Sequence, residues 1–358
     1  MSYSQDEKIL IWLSSFEFLT ISKAYALIDF FKTPLKIYNA ITKKDENVIK
    51  ILSQHFEEVF DNCDENYIEN LIKNLQSQGV TCLTIASDNY PKLLKETYQC
   101  PINLYLKGDT SLLDKRCLAI VGTRNPSNYG KSITHDFASK LASSGLVIVS
   151  GLAMGVDKIS HEATLEVGGK TIAVLGAGFN YIYPAMNTNL AKEIEKVGLL
   201  VSEYAPSVSP QKYDFPARNR IVAGLCEGIL VTEAGEHSGT LYTKEFAVDF
   251  NRNVYAVPGN INSITSKGTN KLIQSCSASC VLDYRDILAD MNISDTCQQK
   301  TVQLNVDEQI IMSIIEKGQI HYDELLNKTK FEPKTLNSYL TYMAIRGIIK
   351  KLPGNFYC

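Results

Sequence analysis

The stretch that decides the fold is CLAIVGTRNPSNYGKS, which spans residues 117–132. Its apolar run Cys117–Val121 predicts a buried strand, and Gly122 marks the end of that strand. Glycine lets the backbone approach a phosphate closely, and the helix that follows would offer free N–H groups. The alternative is a plain tight turn in which Arg124 is merely solvated. A P-loop is excluded, because Asn125 stands where that motif requires its first glycine.

Similar apolar runs recur along the chain, and most are followed by Gly or Ser and then by a helical segment. The runs cover residues 117–121, 146–149, 171–175, 199–201, 229–231 and 254–257. Near-continuous apolar strands that alternate with helices are typical of a parallel sheet covered on both faces. The sequence therefore predicts an α/β fold, a Rossmann-type doubly wound parallel sheet, with its site at the carboxyl ends of the strands.

The regions on either side of this pattern predict further domains. Residues 1–85 carry apolar residues at helical spacing, which predicts a small helical domain. Residues 86–285 contain the predicted sheet, and the polar residues 286–303 predict a linker. Residues 304–358 contain three short helical segments and a terminal hairpin around a Pro-Gly pair, which predicts a winged-helix-like domain.

Composition and charge limit the function classes. The net charge is −3, and residues 1–100 hold 10 basic and 14 acidic residues, so a nucleic-acid site has to be a local patch. Nine cysteines without a Cys-x-x-Cys pair indicate reduced thiols, a cytoplasmic protein and no metal site. No apolar run reaches about 18 residues, so we expect no membrane partner.

The sharpest motif is KYDFPARNR, residues 212–220. Arginine binds phosphate through two parallel hydrogen bonds, and an aromatic ring such as that of Phe215 can stack on an unpaired base. The motif therefore predicts a polyanion site that involves Lys212, Arg218 and Arg220. One alternative is a solvated basic turn, and another is that Arg218 or Arg220 holds the loop through an internal carboxylate.

Other strand ends carry weaker signals. Ser150-Gly151 follows the second run, and Ser238-Gly239-Thr240 begins a predicted helix, where it could form an anion nest or merely a helix cap. The run at 171–175 ends in Gly-Ala-Gly without the third glycine of a dinucleotide fingerprint, so we expect no cofactor. His237 has no evident partner and is interpreted as a loop histidine. In a parallel sheet these strand ends converge on one rim.

The ordered motifs together resemble the DNA-processing protein A (DprA/Smf) family. The motifs that carry the resemblance are Tyr90-Pro91, Leu104-Tyr105, Lys107-Gly108, Gly122-Thr123-Arg124, Ser150-Gly151-Leu152-Ala153, Phe215-Pro216-Ala217-Arg218-Asn219-Arg220, Glu233-Ala234, Ser238-Gly239-Thr240-Leu241 and Val257-Pro258-Gly259. The resemblance implies an extended Rossmann domain, with a helical domain related to SAM or helix-hairpin-helix folds before it. It implies a non-catalytic homodimer that binds and protects incoming single-stranded DNA and helps load the recombinase RecA during natural transformation. The predicted DNA contacts are Gly122, Thr123, Arg124, Ser150, Gly151, Lys212, Phe215, Arg218, Asn219, Arg220, Ser238, Gly239 and Thr240.

The sequence departs from the family pattern at several points. Lys244-Glu245-Phe246 stands where the family prefers smaller residues, and Gln274-Ser275-Cys276-Ser277 replaces a Gly-Ala-type end. Thr20-Ile21-Ser22 lacks the glycine of a helix-hairpin-helix turn, which puts a DNA role of the helical domain in doubt.

Two other functions compete with this hypothesis. A nucleotide hydrolase of the lysine-decarboxylase-like (LOG) type would need glycines at 236 and 237 and a glutamate at 243, where this chain has Glu236, His237 and Thr243. A winged-helix regulator would need basic residues on its recognition helix. The last predicted helix buries Leu336, Leu340 and Met343 and exposes Lys334, Asn337, Ser338 and Thr341, which offers one lysine for duplex phosphates.

Overall fold

The structure is a computed structural model that describes residues 3–236, 238–295, 304–316, 318–346 and 348–358. It divides into two units, Met1–Cys297 and Gln298–Cys358, and each is described by itself below.

The first unit begins with helices, as the apolar spacing predicts. They are α1 (Gln5–Ser14), α2 (Ile21–Phe31), α3 (Pro34–Thr42), α4 (Glu46–Leu52), α5 (Phe56–Asp61) and α6 (Glu65–Ser77), with a short 3-10 helix at Ser53–His55. Ser4 and Glu7 form a capping box that satisfies the free N–H groups at the start of α1. The core of these helices is continuous with one face of the sheet, since Trp12 belongs to the same buried cluster as Tyr105.

One large sheet follows, and every predicted run lies in it. Its strands are β1 (Thr81–Thr84), β2 (Asn103–Gly108), β3 (Cys117–Val121), β4 (Val147–Ser150), β5 (Thr171–Leu175), β6 (Leu199–Ser202), β7 (Gly228–Val231), β8 (Asn253–Ala256) and β9 (Ser279–Cys280). The order is β1-β2-β6-β5-β4-β3-β7-β8-β9. Strands β3 to β9 pair in parallel, with Leu118 opposite both Ile148 and Gly228, whereas β1 and β2 pair antiparallel. The chain moves outward from β3 in both directions, so the topological switch point lies between β3 and β7.

Helices connect the strands. They are α7 (Lys92–Lys95), α8 (Asn128–Ser143), α9 (Val156–Glu166), α10 (Thr188–Val197), α11 (Asp214–Gly224), α12 (Thr240–Asp249), α13 (Lys267–Gln274) and α14 (Tyr284–Asp290), with 3-10 helices at Thr110–Asp114, Ala185–Asn187 and Ile264–Ser266. The four β3 residues Leu118 to Val121 are all buried, which agrees with a sheet covered on both faces.

The structure corrects three details of the sequence prediction. Strand β1 occupies the end of the predicted helical domain 1–85, and β2 and β9 were missed. Helix α14 covers the first residues of the predicted linker 286–303. The last part of that linker, residues 296–303, lies outside the described residues.

The second unit contains α15 (Val306–Ile315), β10 (Ile320–His321), α16 (Tyr322–Thr329), α17 (Pro333–Ile345), β11 (Lys351–Leu352) and β12 (Phe356–Tyr357). The strands form an antiparallel sheet in the order β10-β12-β11. Leu336, Leu340 and Met343 of α17 are buried, as their spacing predicts. The winged-helix assignment of this unit stays a prediction.

Candidate nucleic-acid interface

A pocket of about 420 Å³ opens at the switch point, beside the carboxyl end of β3. Its lining is Val121, Gly122, Arg124, Ala153, Asp157, Phe215, Pro216, Arg218, Asn219, Ser238, Gly239 and Thr243. Loops that follow β3, β4 and β7 and the start of α11 contribute to it. The structure therefore brings together seven of the predicted site residues from three separate segments of the chain.

The first turn places one free cation at the pocket. Arg124 is exposed, and it makes no hydrogen bond or ion pair with any residue that the structure describes. Gly122 has a packing role, because a side chain there would meet the side chain of Val156 and lie 2.8 Å from the carbonyl oxygen of Glu233. The amide of Thr123 donates to that same carbonyl over 2.8 Å. The turn is thus fixed against its neighbours, and Arg124 is left available for a ligand.

Side chains of the protein itself cap the start of α8, which makes this helix start a poorer phosphate site than the sequence predicts. The Oγ atom of Ser127 accepts from the amide of Gly130 over 3.1 Å. The carboxylate of Glu233, which is almost fully buried, accepts from the amide of Ser127 over 2.8 Å and from the hydroxyl of Thr265. A carboxylate at a helix start takes the position that a bound anion would occupy. The protein itself supplies the anion here.

Arg218 is an internal residue of the pocket rather than a free cation. It is 5% exposed, and its Nη1 donates to the carbonyl oxygen of Gly151 over 2.6 Å and also to that of Val174. Burial, opposed by Asp157 and assisted by the neighbouring Arg124, lowers the pKa of Arg218 to about 10. A pKa near this value keeps the guanidinium charged at neutral pH. Arg218 therefore fixes the loop after β4 and adds positive charge behind the pocket wall.

Asp157 balances that charge from the same loop. Its carboxylate accepts from the amide of Gly151 over 3.2 Å and from the amide of Ala153 over 3.3 Å. Burial raises the pKa of the Asp157 carboxyl, while Arg218 and these amides lower it. A side chain on Gly151 would collide with the Arg218 guanidinium and with Asp157. Gly151 thus serves the loop and is not itself in the pocket lining.

Ser150 and Arg220, both predicted as DNA contacts, point to partners inside the protein. Ser150 is fully buried, and its Oγ donates to the carbonyl oxygen of Ile120 over 2.7 Å. Arg220 forms an ion pair with Glu203, and both side chains are mostly buried, at 12% and 13% exposure. The internal carboxylate that the sequence left as an alternative is therefore present for Arg220. Neither residue belongs to the pocket lining.

Phe215 and Asn219 lie in the first turns of α11, and Lys212 lies just before this helix. The Phe215 ring packs over Gly176, where an added Cβ would lie 3.0 Å from it, and its centroid is 5.1 Å from that of Tyr183. Lys212 is exposed and without a hydrogen bond or ion pair among the described residues. The side-chain oxygen of Asn219 accepts from Nε of Arg218 over 3.2 Å.

The start of α12 closes the remaining side of the pocket. Ser238, Gly239 and Thr243 line it, and the amide of Ser238 donates to the carbonyl oxygen of Gly235 over 3.2 Å. His237 and the side chain of Thr240 lie outside the described residues. Because an α-helix has free N–H groups in its first turn, this end of α12 is the helix start that can face an anion.

Sequence reasoning missed five residues of the pocket lining, of which Asp157 and Thr243 are the polar ones. Asp157 ends the small-residue stretch after β4, and an acid among glycines beside a buried arginine was the available signal. Thr243 is one helical turn beyond Thr240 on the pocket side of α12, but a lone threonine carries no signal by itself.

Two features of the described residues bear on other classes of function. No group of three or more His, Cys, Asp or Glu side chains in the described part of the chain could hold a metal ion. Within the same residues, none of the helices has the length and apolar character needed to cross a membrane.

The fold and the pocket define a doubly wound α/β protein with a pocket lined by two arginines at its switch point. The profile of the "DNA recombination-mediator protein A" family matches residues 81–292, and the chain belongs to that family. It is 42% identical over 217 residues to the DNA processing protein DprA of Bacillus subtilis. These aligned residues cover 60% of this chain and 73% of the relative. It is 41% identical over 225 residues to the protein Smf of Escherichia coli. This second alignment covers 63% of this chain and 60% of the relative.

Solved structures give the same result. The X-ray structure of DNA processing protein A from Streptococcus pneumoniae matches with a TM-score of 0.69 and 35% identity, over 81% of this chain and 99% of that one. A structure on the single-stranded DNA binding mode of DNA processing protein A from Helicobacter pylori matches with a TM-score of 0.55 and 34% identity, over 60% of this chain and 95% of that one.

Proposed function

We propose that this protein binds single-stranded DNA through the pocket at its switch point. The observation that carries the proposal is the exposed Arg124 beside the buried Arg218, in a pocket that Phe215 also lines, with the exposed Lys212 three residues before Phe215 in the chain. Phosphate contacts supply affinity, and a ring supplies a stacking surface for an unpaired base. A relative from Helicobacter pylori that is 34% identical has a structure concerned with its single-stranded DNA binding, which supports the same ligand here.

The proposed contacts have separate roles. Arg124 and Lys212 bind phosphates, Phe215 stacks on a base, and the first turn of α12 at Gly239 and Thr240 offers N–H groups. Arg218 is a positioning residue, because its hydrogen bonds to Gly151 and Val174 hold the pocket wall. Of the remaining predicted contacts, Gly122, Asn219 and Ser238 line the pocket, and Thr123 lies in the turn that follows β3.

We further propose the role that the family resemblance implies, in which the protein protects incoming single strands and helps load RecA during natural transformation. Membership of the DNA recombination-mediator protein A family supports this role. The homodimer and the cytoplasmic location belong to the same proposal. Light scattering would test the dimer, and a RecA-filament assay on single strands coated with a competing binding protein would test the loading.

We propose that the site binds DNA and does not catalyse a reaction. Asp157, the carboxylate in the pocket lining, is held by two backbone amides and faces the Arg218 charge, so it is built into the wall. Position 243, where a LOG-type hydrolase needs glutamate, is a buried threonine. Incubation with nucleoside monophosphates or labelled DNA should leave both intact, and protein-dependent release of base or phosphate would contradict the proposal.

The decisive experiment is a fluorescence-anisotropy titration of labelled single-stranded and double-stranded oligonucleotides of equal length at one fixed salt concentration. We expect tighter binding to the single strand, because the Phe215 ring can stack only on an unpaired base. Preference for the duplex would favour the winged-helix regulator instead.

A further inference from the structure

A second groove lies beside the pocket, on the loop between β5 and α10. It has a volume of about 550 Å³, and its lining includes Lys107, Phe179, Tyr181, Tyr183 and Lys192. The family motifs quoted from the sequence include Lys107 but none of the three aromatic residues. The proposed pocket does not use these side chains, so the groove needs an explanation of its own.

The loops that build this groove are held firmly together. The amide of Gly178 donates to the carbonyl oxygen of Val208 over 2.9 Å, and the amide of Asn180 donates to that of Pro206 over 3.0 Å. These bonds tie the loop after β5 to the loop after β6. A side chain on Gly178 would collide with the backbone of Ala205 and Pro206, so the two loops are in close contact. The groove is therefore a preformed surface.

Two aromatic rings and one lysine face solvent there. Tyr181 is 45% exposed and Tyr183 is 55% exposed, although exposing such rings to water is unfavourable. Lys192 is exposed, and it has no hydrogen bond or ion pair among the described residues. Lys107 lies 3.7 Å from Glu195 and 5.9 Å from the centre of the Phe179 ring. Rings combined with lysines match single-stranded nucleic acid, whose bases stack and whose phosphates are negative.

The groove is continuous with the pocket. The Tyr183 ring lines the groove, the Phe215 ring lines the pocket, and their centroids are 5.1 Å apart. Pro210 lines the groove and is separated by one residue from Lys212, the free cation on the approach to the pocket. A strand that leaves the pocket over Phe215 thus meets Tyr183 next.

We propose that this groove holds further nucleotides of the single strand that occupies the pocket, with bases stacked on Tyr181 and Tyr183 and a phosphate bound by Lys192. The inference rests on the proposed function, and it adds a direction to the bound strand, from Arg124 across Phe215 to the face of α10. Continuity with the pocket and the positive side chains favour this occupant over a peptide.

The test measures affinity against oligonucleotide length by anisotropy, using the full chain and oligothymidylates of about four and about sixteen nucleotides, the range that small binding domains cover. The parent is expected to bind the long strand more tightly. Tyr181→Ala and Lys192→Gln should bind the short strand like the parent and the long strand at least about fivefold more weakly, since stacking on one base is worth about fivefold or more. Tyr181→Phe should stay close to the parent, because its ring remains.

Matched controls are Tyr67→Ala, an exposed tyrosine on α6, and Lys196→Gln, one turn beyond Lys192 on α10 and outside the groove lining. Arg124→Ala reports on the proposed function separately, because it should weaken both lengths. The decisive variant combines the two substitutions, Tyr181→Ala and Lys192→Gln, and its melting temperature shows whether it is folded. The inference is overturned if this folded double variant keeps the parent affinity for both lengths. It is also overturned if this variant weakens both lengths equally, since the groove would then be the primary site.

Discussion

Arg218 and Asp157 hold the same residue from opposite sides: the guanidinium donates to the carbonyl oxygen of Gly151, and the carboxylate accepts from its amide. The two side chains come from α11 and α9, so the loop after β4 is fixed by two elements distant in sequence. Because both groups are buried, each charge depends on the other and on the backbone for compensation.

Arg218→Ala should therefore lower the free energy of unfolding together with DNA affinity. Removing one member of a buried charge pair leaves the other uncompensated, and the expected loss is about 3 kcal/mol. Urea denaturation measures it. Asp157→Asn should recover part of the loss when combined with Arg218→Ala. Parent-like stability of the single variant would show that Arg218 does not position the loop.

Arg124→Ala should weaken single-strand binding and leave stability unchanged, because the side chain is exposed and makes no hydrogen bond or ion pair among the described residues. With three or four phosphate contacts, log affinity against log salt should have a slope of roughly −2 to −3, and the variant should lose about 0.7 of it. The loss should be alike for all base sequences.

Lys115→Ala is the matched control for Arg124, because Lys115 is an exposed lysine just before β3, at the opposite rim of the sheet. If Arg124→Ala and Lys212→Ala are both folded and both bind single strands like the parent, the pocket is not the DNA site.

Phe215→Ala should cost about 1–3 kcal/mol of binding free energy with little change in salt slope, since stacking releases few counterions. Phe215→Tyr keeps a ring over Gly176 and should bind nearly like the parent. Titrations at several salt concentrations separate the two effects. A change in slope as large as that of Arg124→Ala would argue against a stacking role.

Arg220→Gln should lower the melting temperature and leave the salt slope unaltered, because Arg220 pairs with Glu203 and lies outside the pocket lining. Glu203→Gln should do the same. In the double variant the losses should be less than additive, which is the signature of a direct interaction. Calorimetry of the three variants gives the comparison, and a smaller salt slope in Arg220→Gln would reassign this residue to the DNA contacts.

His161 should make stability depend on pH. It is fully buried on α9, its Nδ1 lies 2.6 Å from the Thr171 hydroxyl, and burial lowers its pKa to about 3. The unfolded imidazole takes up a proton near pH 6.5, whereas the folded one resists it, so the contribution is complete above about 6.5 and is lost as pH falls toward 3. The loss at pH 5 should be about 2 kcal/mol. His161→Asn should show a smaller fall between pH 7.5 and pH 5 in urea denaturation, and an equal fall would refute the assignment.

The sequence predicted the core strands well because Cys117–Val121 and the runs like it are apolar along their whole length. It missed β1, where Thr81 and Thr84 interrupt the apolar residues, and the two-residue exposed edge strand β9. Short edge strands take their structure from the neighbours they pair with, so local composition does not reveal them.

The site was predicted as a set of segments but not residue by residue. The motif that holds Arg218 and Arg220 shows two cations two positions apart, yet one faces the pocket wall and the other faces Glu203. Which arginine is free depends on carboxylates that are distant in sequence, Asp157 and Glu203. Charge pattern along the chain carries no information about such pairing, whereas the position of Arg124 at the pocket follows directly from its place after β3.

The carboxylate of Glu233 at the start of α8 has a consequence for competition inside a cell. Proteins that cradle a nucleotide do so with a helix start and tight backbone contacts to one phosphate group. In this protein Glu233 fills that position at the start of α8, so a mononucleotide in the pocket finds only the first turn of α12 and a few separate side chains, and gains little from each. A polymer engages many such weak contacts at once, and tethering makes every contact after the first effectively intramolecular. Free nucleotides should therefore compete poorly with single-stranded DNA for the pocket. An occupied pocket should then mean that a single strand is bound.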